Sequence, residues 1–221
     1  MHIIRFLLVP MLLILFMGLS YSVLSLPQET AGLTKTVDAQ MHKSGVSNPV
    51  TAVLMNFRAY DTLLEMAVLF VALLGAYSLN SSESYAKVFL KSTVLNTFAG
   101  ILVPILILVC TYLLWVGAYA PGGAFQAGAV LGAIGILILL SGWKLYLSPR
   151  HHLVRVLVVA SLSIFIFVAI WSMLVAGRLL EFPVAQASYF IFILEAVATI
   201  SIGMTLFSLF FSIFSEPKEK S

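Results

Sequence analysis

Charge is what this sequence has least of. Nine acidic and twelve basic residues make up only 10% of its 221 residues, while 61% are hydrophobic. A soluble domain of ordinary composition carries about 25% charged residues. With a mean hydropathy of +1.08, the chain reads as an integral membrane protein. Cysteine is nearly absent too. Cys110 stands alone, which excludes an internal disulfide and any cysteine-built metal site. It lies mid-span in an apolar run and reads as a small core residue. The net charge of +3 is too small and too dispersed for nucleic-acid binding. There is no glycine-rich phosphate loop, no pair of histidines at metal-ligand spacing within a span, and no nucleophile with an adjacent base. Neither an enzyme nor a cofactor nor a metal centre is expected. The chain also lacks the pair of corresponding broken helices that marks a self-contained transporter. An ion path with so few polar residues needs other membrane subunits to complete it.

What is present is a series of long apolar runs. A membrane-spanning helix needs about 20 mostly apolar residues. Six stretches qualify: 4–25, 57–79, 94–118, 124–142, 153–177 and 187–214. The expected fold is therefore all-α with about six transmembrane helices. The basic residues orient it. With the N-terminus inside, Arg5, Lys87, Lys91, Lys144, Arg150, Arg155, Lys218 and Lys220 fall on the cytoplasmic side. Lys35, Lys43, Arg58 and Arg178 fall outside. Both termini are then cytoplasmic. His151 and His152 read as a solvated interfacial pair. Residues 1–25 share features of a signal peptide, but the apolar run is long and Ser22-Val23-Leu24 is a poor cleavage context, so a retained helix is the favoured expectation.

The stretch from Leu26 to Pro49 is the longest polar segment and is expected to lie wholly in water on the outer side. Asn48-Pro49 reads as a helix start. Val50 to Met55 then forms an apolar lead-in continuous with the second span. That span opens with Asn56-Phe57-Arg58-Ala59-Tyr60-Asp61-Thr62-Leu63-Leu64-Glu65. Steps of three and then four residues bring Arg58, Asp61 and Glu65 onto one helical face. Glu65 is followed by fourteen uncharged residues, so it belongs inside the bilayer. A carboxylate there costs about 2.5–3.5 kcal/mol on insertion scales, and such groups mark ion or proton routes. In that reading Asp61 attracts cations towards Glu65, and Arg58 is a charge partner. The competing reading is an Arg58–Asp61 ion pair that pins the helix at the interface, with Glu65 bonded to a neighbouring subunit.

Between the third and fourth spans lies Ala120-Pro121-Gly122-Gly123-Ala124-Phe125-Gln126. Pro121 fixes one backbone angle and the paired glycines permit positive ones, so a very tight helical reversal is expected at Pro121, Gly122 and Gly123. Gly128 and Gly132 follow at four-residue spacing, where small residues let helix backbones approach closely. The last span carries a second acid, Glu195, about 12 Å from its outer end at 1.5 Å per residue. Glu65 and Glu195 sit at similar depth. They form one site if their helices are neighbours, and the sequence does not place those helices side by side. The chain divides into a two-helix unit, residues 1–85, and a four-helix unit, residues 86–221, jointed at the polar run around Asn80 and Glu83.

Two of these stretches point to one family. Asn56 to Glu65 resembles Asp-Phe-Arg-Gly-Phe-Asp-Thr-Leu-Gly-Glu, a pattern of the C-terminal part of the large A subunit of Mrp-type sodium/proton antiporters. The same pattern occurs in E-type subunits of ion-translocating membrane-bound hydrogenases. Ala120 to Gly128 resembles the Asn-Ala-Pro-Gly-Gly-Gly-Phe segment of the Mrp B subunit, and the helix around Glu195 is similar to that subunit's acid-bearing last helix. Ala59 and Leu64 stand where the family has glycines, Asn56 where it has an acid, and Ala124 where it has a third glycine. Ala118-Tyr119 replaces the usual His-Asn pair. The resemblance implies an E-type hairpin fused to a B-type four-helix unit. It implies a subunit of a multisubunit complex in a bacterial or archaeal cytoplasmic membrane, partnered by other membrane subunits and coupling Na+ and proton movement, with Glu65 on the path. The alternatives are the membrane arm of a redox-driven complex and a structural adaptor.

Overall fold

A computed structural model describes residues 2–25, 33–79, 92–143, 151–177, 179–180 and 182–213. The joint at residues 80–91 lies outside the described residues, as do Lys144, Arg150, Arg178, Lys218 and Lys220. The described residues are helical, in the order α1 (His2–Leu24), α2 (Leu33–Gln40), α3 (Pro49–Ala52), α4 (Ala59–Leu79), α5 (Thr93–Val116), α6 (Ala124–Leu140), α7 (His152–Ala176) and α8 (Ala187–Ile213). Of these, α4, α5, α7 and α8 contain stretches of 21, 24, 24 and 26 residues that are long and apolar enough to cross a membrane. Residues Val9–Leu24 of α1 and the whole of α6 form shorter apolar helices. At 17 residues, α6 is about 25 Å long, against a hydrocarbon core of about 30 Å.

The chain divides into two compact units, Met1–Ala39 and Gln40–Ser221. The first contains α1, with Pro10 inside it, and most of α2. The α2 helix lies in the polar segment, where the sequence offered no helical signal.

In the second unit α8 is the central element. It packs against α4, α6 and α7, and α5 packs on α6. The α6–α8 approach is close because α6 has hydrogen atoms where other helices have side chains. A Cβ on Gly128 would lie 2.7 Å from Ile202 Cβ, and one on Gly132 would lie 3.0 Å from Leu206 Cβ. Gly203 reciprocates, with Leu131 Cδ2 2.9 Å from where its Cβ would be. The α7–α8 seam has a polar stitch in which Ser161 Oγ donates to Ser201 Oγ (3.0 Å) and Ser201 Oγ donates to Val158 O (2.6 Å). Such hydroxyl bonds suit helix pairs that have no water to compete. Phe165, Ile191, Leu194, Ala198 and Ile202 form the apolar core beneath. Cys110 is buried, with its thiol donating to Ala127 O at 3.2 Å.

Two expectations need correction. The polar segment is not wholly in water: Ser44 is 0% and Asn48 6% exposed. Its last residues are held in the protein. Ser44 Oγ sits within hydrogen-bond distance of Met41 O and Val46 O, Asn56 Nδ2 donates to Ser44 O, and Gly45 (φ +76°) lies against Ala187. The lead-in is also not continuous with the second span. Asn48 caps α3 as the sequence implied, accepting from Val50 N at 3.1 Å. The helix then widens into a π-helical turn, Val53–Phe57, and stops at Arg58 (φ −131°, ψ 37°) before α4 begins. Arg58 N donates five residues back to Val53 O, and Thr62 Oγ1 donates to Leu54 O at 2.6 Å. That hydroxyl takes up a carbonyl freed by the break, one of the known ways a break persists in an apolar helix.

Candidate functional site

The α5–α6 reversal forms the floor of the site. Gly117 to Pro121 make the turn, and Gly123 N donates back to Leu113 O at 2.9 Å. Only the second of the paired glycines uses its freedom: Gly123 has φ +105°, a conformation that side chains rarely adopt. Asn48 clamps this turn from outside. Its Nδ2 donates to Gly117 O (2.9 Å) and Ala120 O (2.8 Å), while its backbone N donates to Ala118 O (3.0 Å). Thr51 Oγ1 adds a 2.5 Å bond to Gly117 O. The short α3 helix is thereby bolted onto the turn, and the helix break at Arg58 returns the chain along α8 as α4.

Between α3, α4, the turn and α8 lies a cavity of about 240 Å³. Its polar lining comes from Thr51, Thr62, Glu65, Gln126 and Glu195, with Gly122 and Gly123 at the floor. The two acids therefore border one space, because α4 and α8 are packed neighbours. Their settings differ. Glu195 is 3% exposed, whereas Glu65 is exposed on the outside of α4 as well as bordering the cavity. The α8 backbone places Glu195 over the turn. A Cβ on Gly123 would lie 2.9 Å from Glu195 Oε1 and 3.9 Å from Gln126 Oε1. Carboxylate and amide oxygens thus converge on Gly123, where the turn has no side chain. Among the described residues neither carboxylate has an ion-pair partner.

The remaining expected residues lie elsewhere. Arg58 and Asp61 pair with each other at 2.5 Å, with side chains 58% and 41% exposed, and neither lines the cavity. An exposed pair of this kind contributes about 0–1 kcal/mol in water. Gly128 and Gly132 line the α6–α8 contact. His151 caps α7, its Nδ1 accepting from Leu153 N at 3.3 Å, and His152 is exposed beside it. Sequence reasoning missed Asn48 as the clamp, and Thr51, Thr62 and Gln126 as lining residues. Their signal was uncharged polarity inside or beside apolar helices, which is weaker than that of a carboxylate but costs energy in lipid for the same reason.

This arrangement can be set beside known proteins. Residues 94–213 match the family model of the domain related to the MnhB subunit of the Na+/H+ antiporter, more than half of the chain. The chain belongs to that family. Residues 8–89 match the family model MbhE, which describes the E component of MBH. No curated protein matches the sequence. Two solved structures share the fold. One is a chain of the membrane-bound sulfane sulfur reductase, an archaeal respiratory membrane complex, with TM-score 0.73, 24% identity, and 96% of this chain and 98% of that one covered. The other is a chain of the Mrp complex from Dietzia sp. DQ12-45-1b, with TM-score 0.68 and 21% identity. The alignment covers 98% of this chain and 26% of that one, so this chain spans about a quarter of its length.

Three of the departures from the family pattern fall where the fold tolerates them. Leu64 is 62% exposed, so its side chain points away from the protein. Ala59 and Ala124 are buried at 1% and 3% and start α4 and α6, where a methyl group fits a helical backbone. The glycine that the geometry requires, Gly123, is retained.

Proposed function

We propose that this chain is a subunit of a multisubunit monovalent cation (Na+)/proton antiporter, and that the cavity holding Glu65 and Glu195 is a station on its ion route. The family supports the assembly and the cargo. The observation that carries the site is that two acids from different spans border one cavity with Gln126 and two threonines. A carboxylate in such a place holds a cation or a proton, and the arrival of one releases the other. Glu65, open to the outside of α4, is where the route continues into a neighbouring protein of the complex. Asp61 acts from the mouth of α4 as an attractor for cations, with Arg58 tuning its charge. The chain is a multi-pass protein of a prokaryotic plasma membrane, transports rather than catalyses, and works with other integral membrane subunits. Its two matched stretches support an origin as two units, residues 1–85 and 86–221.

The test is Glu65→Gln in the fully assembled complex, which removes the charge and keeps the shape. Coupled Na+/proton exchange is expected to be abolished. Wild-type exchange in that variant sinks the ion-route reading, and loss of assembly with normal exchange by what does assemble supports a structural adaptor. A second reading is favoured by the near-complete mutual coverage with the sulfane sulfur reductase chain and by the match to MbhE: the same protein serving a redox-driven membrane arm. Proteins copurifying in mild detergent separate the two, since redox subunits accompany only the second.

A further inference from the structure

Glu195 borders a second cavity. This one, of about 280 Å³, lies between the end of α5 and the start of α8 and is walled by Trp115, Tyr119, Ser188, Tyr189 and Phe192. Trp115 and Phe192 meet edge to face, with centroids 6.0 Å apart and planes at 78°, which fixes part of the wall. Glu195 is the one residue common to the linings of this cavity and the Glu65 cavity. It is more than nine-tenths buried, and its carboxylate has no hydrogen-bond or ion-pair partner among the described residues. A buried acid that nothing in the protein satisfies needs water, a proton or a cation. The missing side chain at Gly123 leaves the room in which its oxygen sits.

Resting on the ion-route reading, we propose that Glu195 is the exchange point between the two cavities. A proton or small monovalent cation reaches it from the aromatic-walled cavity and leaves it towards Glu65. Aromatic faces tolerate a partly dehydrated cation, and the Tyr119, Tyr189 and Ser188 hydroxyls offer oxygen atoms on the way. At the carboxylate the exchange balances: binding a proton releases the cation, and binding the cation releases the proton.

The test uses the assembled complex in proteoliposomes, with a Na+ gradient driving proton movement. Ser188 lines the aromatic-walled cavity and not the Glu65 cavity, so Ser188→Trp adds bulk at the first and not at the second. Exchange is expected to fall at least tenfold with all subunits retained. If the tryptophan variant does not assemble, Ser188→Leu is read in the same way. Wild-type exchange with the cavity filled, in a complex that Glu195→Gln inactivates, overturns the second cavity as a route and leaves the Glu65–Glu195 path standing. Wild-type exchange in Glu195→Gln overturns the exchange point, whatever Glu65→Gln does.

Discussion

Asn48 is a small residue with two tasks. Its side-chain oxygen caps α3, and its amide nitrogen satisfies two carbonyls of the α5–α6 turn. Asn48→Ala strips the cap and leaves Ala120 O without that donor. We expect a loss of about 0.5–2 kcal/mol from the lost cap, with a smaller addition from the part-buried Ala120 O left without its donor. Asn48→Asp keeps the capping oxygen but turns a second oxygen towards those carbonyls, so it is expected to destabilise more. Thermal inactivation of the detergent-solubilised complex ranks the three proteins, and an aspartate variant as stable as the wild type contradicts the clamp. Residues of this kind are hard to see in sequence. Glu65 and Glu195 stand out because a charge in an apolar run is costly and conspicuous. Asn48 and Gln126 are uncharged: what makes Asn48 matter is a contact made dozens of residues away, and what makes Gln126 matter is a cavity it shares with residues of other helices.

Elements were legible to the extent that they depend on runs of apolar residues. The stretches read as spans correspond to α1, α4, α5, α6, α7 and α8 with ends displaced by a few residues. The break at Arg58 was not legible, because no proline or glycine marks it. It is held by tertiary bonds from Thr62 and by the π-helical turn, and such turns recur at functional sites. The neighbour relation of α4 and α8 was equally invisible, since all spans are apolar and any pair satisfies composition. On α6, small residues at four-residue spacing announce a close approach, but not that the partner is α8. Gly128→Ala places a methyl group 2.7 Å from Ile202 Cβ, and overpacking of a tight seam costs about 1–3 kcal/mol. Gly100 on α5 has nothing within 4 Å of its Cβ position, so Gly100→Ala is the control. The expected outcome is a lower inactivation temperature for the first variant and little change for the second. Equal behaviour of the two contradicts the assignment of Gly128 as a packing residue.

For the whole molecule, the sequence supplies an orientation that helix packing does not. Arg5 and Arg155 on the inner side and Lys35, Lys43 and Arg58 on the outer side are among the described residues, and the excess that sets the orientation comes from Lys87, Lys91, Lys144, Arg150, Lys218 and Lys220 of the sequence. From that excess we propose that the α5–α6 turn and both cavities face the outer half of the membrane. On this proposal the start of α7 faces the cytoplasm, and the C-terminus is expected there too. This decides which side loads Glu195. With the turn outside, the proposed exchange point is loaded from the outer side. A reporter fused after Ser221 tests the orientation in the native host. A C-terminal fluorescent protein that matures only in the cytoplasm is expected to be bright, and a C-terminal phosphatase that folds only outside is expected to be inactive. The reverse pattern would place the cavities on the cytoplasmic side. The two acids would then still share one cavity, but the exchange point would be loaded from within the cell.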